Sequence, residues 1–119
     1  MDKFSGDKIN SSISDRKRFH ERFLKSCQTY ESFLKLEEKA FLDGALSRKV
    51  KELMAFSISI VTKCEPCIEW HIQQAIMQGA TDEEIYEAID VSIEMGGGPA
   101  GAYARYALNA MDYHKANKR

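Results

Sequence analysis

The hydrophobic positions of this chain recur at the spacing of helices, not of strands. From about Arg16 onward, Phe19, Phe23, Leu24, Cys27 and Tyr30 follow one another at helical intervals while Arg, Lys and Glu fill the other faces, which predicts an amphipathic helix. The pattern continues or restarts through Phe33 and Leu36, takes in Ala40, Phe41 and Leu42, and ends near Gly44, a residue suited to a helix C-terminus. Ser47 is placed to cap the next helix, Arg48 to about Thr62. Its later half, Leu53-Met54-Ala55-Phe56-Ser57-Ile58-Ser59-Ile60-Val61, has the composition of a buried strand, but the lead-in Lys51-Glu52-Leu53-Met54-Ala55 favours a central buried helix.

Pro66 lacks an N–H and disfavours helical geometry at the residue before it, so a new helix is expected to start around it, with Cys64 and Cys67 straddling its N-terminus. Ile68, Ile72, Ala75 and Ile76 form its apolar stripe, and Gly79 ends it. Thr81-Asp82-Glu83-Glu84 is a capping-box pattern that opens a further helix. That helix runs through Ile85, Ala88, Ile89 and Ile93 to Gly96-Gly97-Gly98-Pro99, where glycine is expected to break it and proline to start the last one, reaching about His114. The reading is an all-α bundle of about six helices, a single domain over residues 16–119 preceded by a flexible polar segment over 1–15. No βαβ alternation, internal repeat or low-complexity segment interrupts it.

Composition narrows the function classes. With 119 residues and 44% hydrophobic content the chain supports one modest core whose stability leans on self-association. Seventeen basic against 18 acidic residues leave a formal charge of -1, so no global field draws nucleic acid or an anionic membrane. No stretch approaches the roughly 20 apolar residues of a membrane span, and the start lacks the apolar centre of a signal peptide, so a cytoplasmic setting with reduced thiols is expected. Three cysteines are an odd count that argues against a disulfide scaffold and for reactive or metal-binding thiols.

Cys64, Cys67 and His71 form a Cys-x-x-Cys-x-x-x-His segment, and on a regular helix the three side chains share one face. His71 lies one turn, about 6 Å, beyond Cys67. A thiol close to a helix N-terminus and an imidazole gains thiolate character, and a second thiol one turn away can close a disulfide before oxidation proceeds further. Cys67, nearer the imidazole, is the thiol expected to exchange a proton with His71, and Cys64 is its disulfide partner. A structural zinc would use the same residues but lacks a fourth ligand, since Cys27 stands alone and no second Cys-x-x-Cys occurs. A thioredoxin-type fold needs strands that are missing here. Cys27, at an apolar position, reads as an inert core residue, and His20 and His114, in charged surroundings, read as facing solvent. Gly96 to Pro99 reads as an interhelical turn, because a phosphate loop would add Lys and Ser/Thr and follow a strand. Trp70, Tyr86, Tyr103 and Tyr106 read as core or subunit contacts.

The segments Lys51 to Ala55, Cys64 to His71, Gly79 to Ile85 and Met95 to Ala100, which together span about half of the chain, resemble the carboxymuconolactone decarboxylase and AhpD-like (alkylhydroperoxidase) superfamily. The shared signature is a glutamate twelve residues before the first cysteine and a histidine four after the second, here Glu52, Cys64, Cys67 and His71. The resemblance implies an all-helical fold in which Glu52 reaches His71 and the two relay protons to the thiols. It further implies a thiol-dependent peroxidase or disulfide oxidoreductase with no cofactor beyond its own dithiol, acting on a hydroperoxide or disulfide, re-reduced by a dithiol donor, and assembled as a homotrimer or homohexamer. If the chemistry is that of a peroxidase, as the resemblance implies, Cys67 is the favoured peroxide-reactive thiol. Pro66 departs from the well-studied peroxidases, which carry a histidine between the cysteines. Dithiol chemistry is thus carried by the residues themselves, and the peroxidase activity by the resemblance. The alternatives are a decarboxylase-like enzyme on a small organic acid, whose relatives generally lack the cysteine pair, and a non-redox oligomeric binding protein.

Overall fold

In the computed structural model, which describes residues 3–118 apart from the Phe4 side chain, the chain forms five helices and, among those residues, no strand. They are α1 (Lys3–Ser26), α2 (Gln28–Ala40), α3 (Arg48–Val61), α4 (Glu65–Met77) and α5 (Asp82–Ala116). Helices α3, α4 and α5 pack on one another around Phe56, Ile60, Ile68, Ile72 and Ile85, all with no exposed surface. Each such side chain contributes about 2 kcal/mol relative to exposure. The apolar run of α3 is helical despite its strand-forming residues, with Phe56 and Ile60, one turn apart, on its buried face. Small polar residues seal the α3–α5 contact. The hydroxyls of Ser57 and Ser92 both donate to the carbonyl of Ala88, at 2.9 and 2.8 Å. The expected capping box is present at the head of α5, where the Thr81 hydroxyl accepts the Glu84 N–H and the Glu84 carboxylate accepts the Thr81 N–H. That backbone donor, with Lys49 beside it, holds the Glu84 carboxyl below the usual carboxylate range.

Three features differ from the pattern-based reading. The segment expected to be flexible is helical from Lys3, and Ile9 is fully buried in the core with Ile13 packed against it; Met1 and Asp2 lie outside the described residues. Two isoleucines one turn apart anchor a polar helix once a core exists to receive them, a gain that local composition does not show. Second, the expected break at the glycines is present but narrower than the run of three: Gly97 alone leaves helical geometry, at φ 69 and ψ -153, and the helical stretches before and after it, the second containing Pro99, run on as the one kinked element α5. With the two halves of α5 counted apart, the helical segments number six, as the sequence pattern expects. Third, α1 and α2 are separated by a single residue, Cys27, which has extended backbone and is exposed. At a helix junction it belongs to neither apolar stripe, so the expectation of a core cysteine is corrected.

A buried ionic cluster fastens α1 to the other helices. The carboxylate of Glu69 on α4, with no exposed surface, accepts from Arg16 of α1 and pairs with Nε2 of His114 on α5 at 2.9 Å. A charge so placed is tolerable only when paired and hydrogen-bonded. His114 is thus buried, not solvent-facing: it lies three, four and seven residues after Met111, Ala110 and Ala107, all core positions. His20 is half-buried and its Nδ1 meets the Tyr30 hydroxyl at 2.8 Å, so it too has a protein partner. Of the aromatic residues, Tyr106 is buried, Trp70 and Tyr103 are half-buried, and Tyr86 is exposed on this chain.

Candidate active site

The end of α3 and the start of α4 are built as one device. The N–H of Lys63 bonds back to the Ile60 carbonyl at 3.2 Å and that of Cys64 to Ser59 at 3.0 Å, the paired bonds of a Schellman C-cap. Lys63 takes the left-handed conformation such a cap requires, φ 61, a role glycine usually fills. The very next residue, Cys64, is the N-cap of α4, and its Sγ accepts the N–H of Cys67 at 3.3 Å. Pro66 stands in the first turn, where no N–H is needed. Cys64 and Cys67 are joined by a disulfide, both half-buried. Cys64 therefore lies just outside the regular helix in extended backbone, and cap geometry rather than a shared helical face brings the two sulfurs together.

One turn beyond Cys67, His71 is 14% exposed. Its Nδ1 meets Oε1 of Glu52 at 2.8 Å across the α3–α4 interface. With a carboxylate accepting, Nδ1 carries the proton and Nε2 is the acceptor nitrogen, which has no hydrogen-bond partner among the described residues. The four residues singled out from sequence are thus gathered at one place, the disulfide at the head of α4 and the Glu52–His71 pair behind it.

The structure adds residues that the pattern did not single out. Arg48 donates from Nε to Oε2 of Glu52 at 3.3 Å and from its terminal nitrogen to Oε1 of Gln74 at 2.8 Å. Phe41, the C-cap of α2, stacks on the imidazole of His71 with ring centroids 5.3 Å apart. Arg48 had a signal in the sequence, its spacing of one helical turn from Glu52, but an arginine on an amphipathic helix reads first as a solvated charge. Phe41 had none, because its contact depends on where the chain leaving α2 meets His71. A cleft of about 450 Å³ opens beside this group, lined by Leu34, Glu37, Phe41, Arg48, Glu52 and Trp70 among others. Among the described residues, no group of three or more His, Cys, Asp or Glu side chains is arranged to hold a metal ion, and no helix is long and apolar enough to cross a membrane.

Fold and site together define an all-helical protein with a cysteine pair at a helix N-terminus and a carboxylate–imidazole pair one turn behind it. The chain belongs to the carboxymuconolactone decarboxylase family, whose sequence profile matches residues 28–110. It is 45% identical over 82 residues to uncharacterized protein 4 in the cox locus of Paracoccus denitrificans, covering 69% of this chain and 74% of that protein. Among solved structures, a carboxymuconolactone decarboxylase family protein from Legionella pneumophila superposes with a TM-score of 0.82 at 31% identity, covering 95% of this chain and 99% of that one. A family member from Thermotoga maritima, for which a part in an antioxidative response has been suggested, gives a TM-score of 0.82 at 28% identity over 89% of this chain and 91% of its own.

Proposed function

We propose that this protein is a thiol-dependent oxidoreductase that reduces a hydroperoxide, or exchanges with a disulfide, at the Cys64–Cys67 pair. The observation that carries the reading is the placement of a disulfide-forming pair at the head of α4 with the Glu52–His71 pair one turn away. In the reduced protein, Nε2 of His71 takes the proton of the Cys67 thiol while Glu52 holds Nδ1–H. The Cys67 thiolate attacks the distal oxygen of the hydroperoxide, the O–O bond breaks, and the leaving alkoxide takes the proton from His71 and departs as the alcohol. Cys67 is left as a sulfenic acid. The Cys64 sulfur then attacks the Cys67 sulfur and water leaves, so that two thiols and one hydroperoxide have become a disulfide, an alcohol and water. An external dithiol, oxidised to its own disulfide, returns the pair to the reduced state. The dithiol is the whole redox apparatus in this reading, no further cofactor takes part, and the protein works as a homotrimer or homohexamer.

Counting free thiols after mixing reduced protein with cumene hydroperoxide tests the proposal. The expected result is the loss of two thiols per chain, blocked in Cys67→Ser. Retention of both thiols, or a peroxide-driven loss that Cys67→Ser leaves unchanged, counts against it.

A further inference from the structure

Glu52 is 2% exposed, and such a carboxylate is stable only when both oxygens are satisfied. Oε1 serves Nδ1 of His71, and Oε2 accepts only from Arg48 among the described residues. Arg48 sits one turn before Glu52 on α3, and Gln74, which accepts from its other end, sits one turn after His71 on α4. Four side chains from two helices thereby form one chain of hydrogen bonds, Gln74 to Arg48 to Glu52 to His71. The arginine is anchored at both ends. Its backbone N–H donates to Asp43 at 2.6 Å, and the amide oxygen of Gln74, a residue only 7% exposed, fixes the guanidinium.

We propose that Arg48, held by Gln74, is a positioning residue of the thiol chemistry: it fixes the Glu52 carboxylate so that Oε1 receives Nδ1–H of His71 and Nε2 stays the proton acceptor for the cysteine pair. The inference rests on the reading of Glu52 and His71 as a proton relay. Arg48 touches no reacting atom and acts only through Glu52. Without its second partner the carboxylate is free to turn about its terminal torsion and to present either oxygen, or a proton, to the imidazole. The guanidinium suits the task because its rigid fork donates in two directions, whereas an ammonium at the same place supplies charge without the bridge. The remaining charged groups of the cleft, Glu37, Glu38 and Asp43, lie on the α2 side and the loop after it, and none of their carboxylates bonds Glu52 or His71 among the described residues.

The test compares wild type, Arg48→Met, Arg48→Lys, Glu52→Gln and Arg48→Met/Glu52→Gln, each reduced. The readouts are the pH profile of cysteine alkylation by iodoacetamide and the single-turnover rate with cumene hydroperoxide. Arg48→Met is expected to slow alkylation at neutral pH about tenfold, the low end of what losing an outer partner costs at metal-binding histidines, and to displace the profile to higher pH. Arg48→Lys recovers part of the loss, and adding Arg48→Met to Glu52→Gln changes little, because the arginine acts through that carboxylate. A lower melting temperature with an unmoved pH profile, or losses from the two single variants that simply multiply, overturns the inference and leaves the relay standing. A pH profile unmoved by Glu52→Gln overturns the relay and the inference together. Coupled alkylation profiles in a protein that consumes no hydroperoxide retain the role of Arg48 and dismiss only the peroxide reading.

Discussion

Single residues here owe their behaviour to what surrounds them. Tyr106 is a measurable case: burial first, then the carboxylates of Glu69 and Glu65, push its phenol up from the ordinary 10.0 to about 12. The folded chain thus favours the neutral phenol. The contribution to stability is complete below pH 10, where both states are neutral, and is lost as pH rises toward about 12, because the unfolded chain ionises first. An ultraviolet titration is expected to show the last of the five tyrosines ionising near pH 12 or only on unfolding. Ionisation of all five together near pH 10 in a folded chain contradicts this. The same dependence on surroundings sets what can be read at this scale. Cys64, Cys67 and His71 announce themselves by chemistry and spacing, and Glu52 by the family signature. Arg48, Glu69 and His114 look like surface charges in the sequence, because a charged residue has no local mark of being paired.

At the scale of elements, capping decides where helices begin and one glycine decides how the longest of them runs. The backbone of Gly97 lies in a region that is essentially closed to residues with a Cβ. Gly97→Ala is therefore expected to cost about 1–3 kcal/mol in urea denaturation. Gly98→Ala, where an added Cβ meets nothing within 4 Å and φ is not positive, is expected to be neutral or to stabilise by about 0.5 kcal/mol. Equal effects at both positions contradict the assignment of the kink to Gly97. The glycine run was legible as an interruption, and the capping box of α5 and the Pro66 start of α4 were legible as boundaries. That the break is confined to Gly97 was not, because three successive glycines carry no local mark of which one leaves helical geometry.

For the whole molecule, the face of α3 turned away from the core remains apolar. Met54, Ile58 and Val61 fall at i, i+4 and i+7, with 48%, 59% and 37% of their surface exposed. The proposed homotrimer or homohexamer gives this stripe a partner. Sedimentation of the full chain is expected to show that assembly, and Ile58→Glu to shift it toward monomer with the helical circular dichroism retained; a monomeric wild type counts against it. The sequence by itself determined that the chain is helical, where most helices start and stop, and which two of the three cysteines lie close enough to pair, since those properties follow from spacing, caps and residue type within a few turns. Only the tertiary structure decided that α1 begins at Lys3, that Glu69 joins Arg16 and His114, and that Gln74 and Arg48 extend the Glu52–His71 pair. Those pairings join residues up to 53 positions apart, and what selects them is the cost of leaving a buried charge alone, a cost that exists only once the helices have packed.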